Sequence, residues 1–301
     1  MTALDAVTTG DYNTALGHDA LSANTTGTTN TAVGYGTLKH NVEAGANTAV
    51  GDLALRQLKT STAATYNTAV GRASQRGPNN EAQFHTGERN TSVGAGSMKV
   101  ITTGNDNTAV GYWSQYGASI TGDFNTSVGS NSLKNLDSGD KNISIGHEAG
   151  DAITSGYKNC AVGSEALPNC QSGHNNVAMG WEAGRSLTSG NNNVCLGPMA
   201  GRSLGGGTYN VALGYHALSN VGSPTRCIGI GGDSIFLGGT DVIGIGQGTM
   251  MRGNSQVGGI GIGRYAGRNN AGDHNVYIGY EAGHGYGSGS PYSTCLLYTS
   301  P

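Results

Sequence analysis

Four glutamates lie at one position of a repeated sequence, and carboxylates placed side by side are the groups that general acid–base catalysis uses. Glu148, Glu165, Glu182 and Glu281 each follow a repeated glycine by two residues, the first three in consecutive copies. Stacked copies would bring the carboxylates within about 5 Å of one another, where they repel and favour a solvated edge. The sequence places no nucleophile or acid partner beside them, so we predict that the chain is not an enzyme. A polysaccharide-cleaving solenoid, which needs acidic residues clustered on one outer face, is the enzymatic alternative.

Histidine and cysteine, the other common ligands and nucleophiles, show no spacing that is typical of a site. The chain has no Cys-x-x-Cys pair and no His-x-x-x-His pair. The histidines are interpreted as solvated turn residues and the cysteines as small apolar substitutes, and we predict neither a metal nor a cofactor. The residues concerned are His18, His40, His85, His147, His174, His216, His274 and His284, with Cys160, Cys170, Cys195 and Cys227.

A short repeat must position every side chain in this protein. A five-residue phrase that ends in glycine, such as Asn30–Gly34 or Asn47–Gly51, occurs sixteen times, and ten of the fifteen intervals between its glycines are 17 residues. A fixed short period indicates stacked identical units rather than one globular core. The glycines are Gly17, Gly34, Gly51, Gly71, Gly94, Gly111, Gly129, Gly146, Gly163, Gly180, Gly197, Gly214, Gly231, Gly246, Gly263 and Gly279.

The phrase has the period of a β-strand. The residue before the glycine is always apolar, as in Val33 and Val50, and the residue two positions earlier is β-branched in nearly every copy. The residue between them is small in every copy except Tyr277. We therefore predict that the phrase is a short strand with aliphatic side chains inward and small ones outward, followed by a second, shorter strand after the glycine.

Stacked strands of this kind predict an all-β chain folded as a parallel β-solenoid of about sixteen coils, each of roughly 17 residues. Residues 1–10 are a lead-in, residues 11–285 the repeat domain and residues 286–294 a linker or truncated coil. Asparagine opens thirteen of the sixteen phrases, including Asn30 and Asn47. Stacked asparagines bond to one another and to turn backbone, so this column is interpreted as structural.

Two features predict contact with a receptor. Aromatic residues recur directly after the repeat glycine, among them Tyr112, with Trp113 beside it, and Trp181. They would pack between chains or stack on sugar rings, and both readings stay open. The longest interruption of the period, Gly77–Arg89, predicts a surface loop, with Phe84 and His85 as contact residues or, alternatively, as part of a tolerated insertion.

Composition excludes several classes of function. Charged residues are 12% of the chain and the net charge is −3, which predicts no basic surface and no nucleic-acid partner. Residues 1–10 contain no basic region followed by an apolar run, so no signal peptide is predicted. No apolar stretch reaches 18 residues, so no membrane insertion is predicted for this segment. Residues 295–301 resemble the translation of a sequencing adapter and are interpreted as an artefact, with the natural chain continuing past Thr294. A thin coil with few large side chains also predicts a homo-oligomer, a trimer.

Phrases such as Asn30–Tyr35 and Asn47–Gly51 resemble the head repeats of YadA-type trimeric autotransporter adhesins and similar repeats in phage tail fibres. The resemblance covers about residues 11–285. It implies a left-handed parallel β-roll, three chains side by side, and attachment to a cell-surface glycan or protein receptor. The missing signal peptide favours a phage tail fibre in the virion over an extracellular or cell-surface bacterial adhesin head.

An ice-binding solenoid is a further alternative. Threonine occupies the second position of the first seven phrases, from Thr14 to Thr126, and a flat threonine array could order water. The column alternates in phase with the aliphatic residues that are predicted to be buried, and it ends before Asn142. Both observations argue against this alternative.

Overall fold

A computed structural model describes residues 3–59, 64–78, 83–219, 222–235, 239–250, 256–269, 272–284 and 294–296. These residues form strands, turns and bends and contain no helix. The chain divides into two compact units, Met1–Tyr157 and Lys158–Pro301. We name them unit 1 and unit 2.

Each of the sixteen phrases contains a strand, as the sequence predicts, and each of these strands is three residues long. Unit 1 contains β1 (Thr14–Leu16), β2 (Thr31–Val33), β3 (Thr48–Val50), β4 (Thr68–Val70), β5 (Thr91–Val93), β6 (Thr108–Val110), β7 (Thr126–Val128) and β8 (Ile143–Ile145). Unit 2 contains β9 (Cys160–Val162), β10 (Val177–Met179), β11 (Val194–Leu196), β12 (Val211–Leu213), β13 (Ile228–Ile230), β14 (Gly239–Thr240), β15 (Ile243–Ile245), β16 (Gln256–Val257), β17 (Ile260–Ile262), β18 (Val276–Ile278) and β19 (Thr294–Leu296).

Within each unit the phrase strands pair in parallel with their equivalents in the next coil. Thr31 pairs with Thr14 in unit 1, and Val177 pairs with Val194 in unit 2. Because the register never slips, every position of the phrase becomes a column, and the predicted parallel β-solenoid is confirmed. The last strand, β19, pairs with β18 and includes the first two residues of the segment interpreted as an artefact.

The predicted orientation of the strand side chains is wrong. In fifteen of the sixteen phrase strands the middle residue, which is small except for Tyr277, is buried, whereas the flanking residues are half-buried or exposed. Ala32 and Ala49 have no exposed surface, but Leu16 is 67% exposed. The inner space is narrow, since a Cβ added at Gly244 would lie 2.6 Å from Cγ1 of Ile235 on the opposite wall. Only a small side chain fits there, so the aliphatic residues face outward.

The core lies between the inner strand column and the turns that follow the repeat glycines. It contains Leu21, Leu38 and Leu55, all without exposed surface, packed with the small strand residues. The predicted second strand after each glycine is wrong, because these leucines adopt left-handed φ angles of 49–50° that interrupt extended backbone. In the described residues, pairing that involves other segments is limited to β19 with β18, β14 with β16 and a few isolated bridges.

Tyr277, the one large residue in the inner strand column, is 1% exposed. Two glycines make room for its ring. A Cβ at Gly283 would lie 2.1 Å from its Cδ1 atom, and one at Gly267 would lie 2.9 Å from its Cδ2 atom. The ring is therefore accommodated by removing side chains around it rather than by widening the coil.

The repeat glycines form a column in which backbone touches backbone. Gly34 has a φ of +132°, and a Cβ there would lie 2.8 Å from the carbonyl of Gly51 in the next coil. The same holds at Gly163, Gly180 and Gly214. Each has a positive φ, and a Cβ there would clash with the backbone of the repeat glycine in the next coil. Any other residue would clash with the next coil and strain its own backbone.

The asparagines that open the phrases form a hydrogen-bonded ladder. Oδ1 of Asn30 accepts the backbone N–H of Asn47 at 3.1 Å and its Nδ2 at 3.1 Å, while Nδ2 of Asn30 donates to the Ala44 carbonyl at 2.9 Å. Where the column changes to Cys227, the thiol donates to the Gly239 carbonyl at 3.2 Å. The ladder thus supplies hydrogen-bond partners to buried backbone N–H and C=O groups of the turns, which the three-residue strands do not pair.

Candidate functional site

Unit 1 contains a cavity of about 180 Å³ beside the turns of consecutive coils. Side chains that follow the repeat glycines by one, two or five residues form its wall, because in-register stacking brings these positions together. The lining residues are Leu53, Arg72, Ala73, Arg76, Ala95, Gly96, Lys99, Tyr112 and Trp113.

Aromatic rings form one side of this cavity. Tyr112 and Trp113 stack with ring centroids 4.7 Å apart and planes inclined by 17°, and Tyr116 lies 5.0 Å from Trp113. A Cβ at Gly96 would lie 2.7 Å from Cδ1 of Trp113, so the glycine lets the indole lie against the neighbouring coil. Tyr112 is 50% exposed, and the pair therefore offers an open aromatic surface.

A column of basic residues lies beside the aromatic rings, and two of its four members, Arg76 and Lys99, line the cavity. Lys39, Arg56, Arg76 and Lys99 each follow a repeat glycine by five residues, in four consecutive coils. Backbone bonds set the spacing, with Gln57 N–H donating to the Arg76 carbonyl at 3.0 Å and neighbours bonding alike. Coils are separated by about 4.8 Å, so the charges are concentrated along one edge. One member is neutralised within the chain, since Lys39 pairs with Asp19 at 3.0 Å, and the predicted absence of a basic surface for nucleic acid stays a prediction.

The cavity itself is strongly positive. None of its nine lining residues is acidic, and three of them are cationic. Lys99 Nζ donates to the hydroxyl of Tyr116 at 3.1 Å, and Lys134 Nζ lies 5.8 Å from the Trp113 ring centroid. Arg72 forms an ion pair with Asp52 at 3.5 Å at the rim, where both side chains are well exposed and the pair is weak. The arrangement can hold a negatively charged group against an aromatic face.

The insertion that the sequence predicts as a contact loop leaves the coil directly after Arg76. Phe84 is half-buried, with Lys59 Nζ 4.5 Å from its ring centroid, and residues 79–82 lie outside the described residues. His85 has no exposed surface and bridges to Leu58, so its side chain is inaccessible to a receptor. Its interpretation as a solvated turn histidine is wrong, and burial lowers its pKa to about 3.

Trp181 belongs to unit 2 and has different surroundings. Its indole is 47% exposed, and the next residue, Glu182, is 6% exposed. Glu182 accepts from Arg185 at 2.8 Å and lies 3.2 Å from Arg202. The predicted solvated edge is therefore wrong for Glu182, which is enclosed by two cations. Of the predicted contact residues, only Tyr112 and Trp113 come together in one site.

Sequence reasoning missed the basic column although a signal was present. The fifth residue after each of four consecutive repeat glycines is Lys or Arg, a pattern hidden by the overall charge of −3. It was overlooked because longer intervals separate Gly51, Gly71 and Gly94, so the basic residues are unevenly spaced in sequence and align only after the coils stack.

A second surface is the outer face of the phrase strands, which we name the strand face. Its aliphatic side chains are more than one-third exposed at several coils of each unit. They are Leu16, Val93, Val128, Ile143 and Ile145 in unit 1, and Met179, Ile245 and Ile262 in unit 2. Exposed apolar side chains that recur along one face are typical of interaction sites.

The described residues contain no group of three or more His, Cys, Asp or Glu side chains that could hold a metal ion. Nor does any helix long and apolar enough to span a membrane occur in the part of the chain that the structure describes. No protein-family model and no curated protein sequence matches this chain.

Proposed function

We propose that this chain is the repeat region of a fibre or adhesin, which forms a homotrimer and attaches to a cell surface. A phage tail fibre in the virion is the favoured setting, and the head of a secreted or surface-bound bacterial adhesin is the alternative. The observation that carries the proposal is the exposed aliphatic strand face, because burying these columns of apolar side chains against another chain would be favourable.

Association is favoured by the free energy of removing apolar side chains from water. Fully burying a Val, Leu or Ile side chain contributes about 1.5–3 kcal/mol, and at several coils of each unit the strand face leaves part of that stabilisation unrealised. Association of identical chains through the same face would bury these columns along the whole length of the coil. Cyclic symmetry closes such an assembly, and the resemblance to trimeric adhesin repeats favours three chains.

The assembly is tested by the mass of the purified chain in solution. We expect three times the chain mass of 30.5 kDa by sedimentation equilibrium. Val128→Lys with Ile145→Lys places two cations on the strand face and should dissociate the assembly, whereas Ser138→Lys, at an exposed turn, should not. A monomeric wild-type chain would refute the assembly.

Attachment is tested separately, with the fluorescently labelled chain on intact bacterial cells of several surface types. The proposal expects saturable binding to some cells, competed by unlabelled chain. Absence of binding to every cell type, by a chain that is shown to assemble, would argue for a purely structural spacer.

Ice binding is the second candidate, because the threonine column faces outward. Thr14 through Thr126 lie on the strand face in register, half-buried or exposed, so the sequence argument that placed them in the interior does not hold. A trimer would cover this array, whereas a monomer would present it to water. Thermal hysteresis from a monomeric chain, lost in a Thr91→Leu and Thr108→Leu variant, would favour ice binding over the fibre.

A further inference from the structure

We propose that three stacked turns of unit 2 form a site for a soft monovalent metal cation of the Cu(I) and Ag(I) type. Met199 and His216 are its ligands, and Asp233 orients the imidazole. Sδ of Met199 is in contact with Nε2 of His216, and Nδ1 of His216 lies 3.5 Å from Oδ1 of Asp233. The inference is independent of the proposed function, because it depends on one cluster of side chains and not on assembly or attachment.

Stacking of the coils brings the three side chains together. Met199, His216 and Asp233 each follow a repeat glycine by two residues, in three consecutive coils. Their φ angles are nearly equal, at 57°, 54° and 52°. Backbone hydrogen bonds fix the spacing, because the His216 N–H donates to the Pro198 carbonyl at 3.2 Å and the Asp233 N–H to the Tyr215 carbonyl at 3.0 Å. Among the sixteen copies this position holds methionine once and histidine once, and the two are neighbours.

The imidazole of His216 is held in one orientation. Its ring stacks on the ring of Tyr215, with centroids 4.3 Å apart and planes inclined by 4°. At one edge of the ring Nδ1 faces the Asp233 carboxylate, and this contact assigns the proton of the neutral imidazole to Nδ1. A carboxylate at the second ring nitrogen is typical of metal-binding histidines, since it fixes the tautomer and raises the basicity of the ligand.

At the opposite edge of the ring two electron-pair donors face each other. With the proton on Nδ1, Nε2 of His216 presents its lone pair, and the thioether of Met199 has no proton to donate to it. Two such atoms repel unless an electron-pair acceptor lies between them. A metal cation is such an acceptor, and the flexible side chain of methionine lets the sulfur move to admit it.

The ligand types select a soft cation. Thioether sulfur favours Cu(I), and imidazole also suits copper. Zinc takes four ligands in a tetrahedral arrangement, and in the described part of the chain no third His, Cys, Asp or Glu joins His216 and Asp233 to form such a group. The negative charge of Asp233 partly compensates the charge of the bound ion.

The sequence motifs of metal sites do not reveal this cluster. Met199 and His216 are 17 residues apart, which is one full coil, whereas the recognised motifs place ligands a few residues apart in a loop or on one helix face. The proposal replaces the sequence prediction that the chain binds no metal.

The probe is Ag(I), added as the nitrate in chloride-free buffer, because it shares the charge and ligand preference of Cu(I) and undergoes no redox reaction. Thiolates also bind this ion, so the experiment uses the full chain with Cys160→Val and Cys295→Ser. Valine occupies the position of Cys160 in the next coil, so this change suits the strand. The remaining cysteines, Cys170, Cys195 and Cys227, are buried.

Nuclear magnetic resonance of the methionine methyl groups, labelled with carbon-13, reports the site directly. The chain contains six methionines, and the Met199 signal is identified by its loss in Met199→Leu. We expect the Met199 methyl signal to shift as Ag(I) is added and to reach its limit at one ion per chain. The methyl signal of Met179, which is exposed on the strand face one coil earlier, should not move.

Titration calorimetry with Ag(I) then separates the roles of the three residues. Asp233→Asn should weaken binding by about 10–100-fold, the usual effect of losing the carboxylate behind a ligating histidine. Met199→Leu and His216→Gln should weaken binding at least as much, because each removes a ligand. Met179→Leu is the matched control and should bind like the parent chain. Circular dichroism checks that each variant keeps the fold.

Three results would overturn the inference. A Met199 methyl signal that stays unchanged at saturating Ag(I) would show that Met199 and His216 form only a packing contact. Equal affinity of Met199→Leu and the parent chain would place the ion elsewhere, and Zn(II) binding as tight as that of Ag(I) would remove the thioether from recognition. Should a ligand variant lose its fold, Asp233→Asn decides, since an unchanged Ag(I) affinity in that variant would equally contradict the site.

Discussion

The asparagine ladder makes a prediction that can be worked out bond by bond at Asn107, an interior coil of unit 1. Oδ1 of Asn107 accepts the backbone N–H of Asn125 at 2.8 Å and its Nδ2 at 3.1 Å. Nδ2 of Asn107 donates to the Gly122 carbonyl at 2.8 Å. Asn107, Gly122 and Asn125 are all buried, so water cannot replace these hydrogen bonds.

Replacing Asn107 with Ala removes these three bonds and leaves two buried backbone groups without their partner, the N–H of Asn125 and the carbonyl of Gly122. Each such group costs about 1–3 kcal/mol, so the free energy of unfolding should fall by about 2–6 kcal/mol. The amide of Asn125 loses less, because it keeps bonds to the Asp123 and Gly139 carbonyls at 3.1 and 2.8 Å.

Urea unfolding followed by circular dichroism measures this loss, and Asn135→Ala is the matched control. Asn135 is an exposed turn asparagine outside the ladder, so its replacement should change stability by less than about 0.5 kcal/mol. Equal effects of the two substitutions would show that the ladder does not stabilise the coil. A change in the m-value would instead indicate that the coils no longer unfold together.

Three further predictions test the interior of the coil. Burial lowers the pKa of His85 to about 3 from the ordinary 6.5, so its contribution to stability is complete above pH 6.5 and is lost as pH falls toward 3. From pH 7 to pH 5 this loss is about 2 kcal/mol, and urea midpoints should show a shallower pH dependence in His85→Leu. Gly283→Ala should destabilise the chain by about 1–3 kcal/mol through its clash with Tyr277, and Tyr277→Ala should recover part of that loss in a melting experiment; additive losses would contradict the packing. In pulsed alkylation with iodoacetamide, half-buried Cys160 should react well before Cys195, whose pKa burial raises to about 12, and equal rates would mean that the coil opens readily.

The period and the strand positions could be predicted because both are properties of the one-dimensional pattern. Parallel in-register stacking turns any recurring residue into a column, so locating the phrase in sequence locates the strand. The pairing of Thr14 with Thr31 follows from that alone. The strand prediction did not depend on knowing which side of the strand faces the interior.

The side-chain orientation could not be predicted from the same pattern, because a period of two identifies two faces without saying which is buried. Assigning the aliphatic face to the interior assumes a wide core. Here the opposite wall is close, as the 2.6 Å separation at Gly244 shows, and only Ala, Ser, Cys or Gly fit except where glycines make room for Tyr277. The width of the coil is set by the turns, whose left-handed residues include leucines that propensity alone would not place there.

The candidate site was predictable in part for a related reason. Tyr112 and Trp113 could be identified because aromatic residues recur directly after the repeat glycine, whereas Arg76 and Lys99 are brought together only when the coils stack. The burial of His85 could not be predicted, because the sequence does not show where an insertion rejoins the coil. In the structure His85, at the end of the insertion, pairs with Leu58 of the coil.

The reversed faces also explain why the outer columns differ between the units while the inner column does not. The inner column stays small from Ala32 to Ala212, because the narrow interior permits little else. The outer face is free of that restriction, and its second position changes from threonine in β1–β7 to Ile, Val or Cys from β8 onward. In unit 2 both columns of outward-facing strand residues are therefore largely aliphatic. In unit 1 one of these columns consists mostly of threonines, whose hydroxyls can form hydrogen bonds with water. Since burying apolar surface drives association, the contribution per coil to an assembly through the strand face should be larger in unit 2.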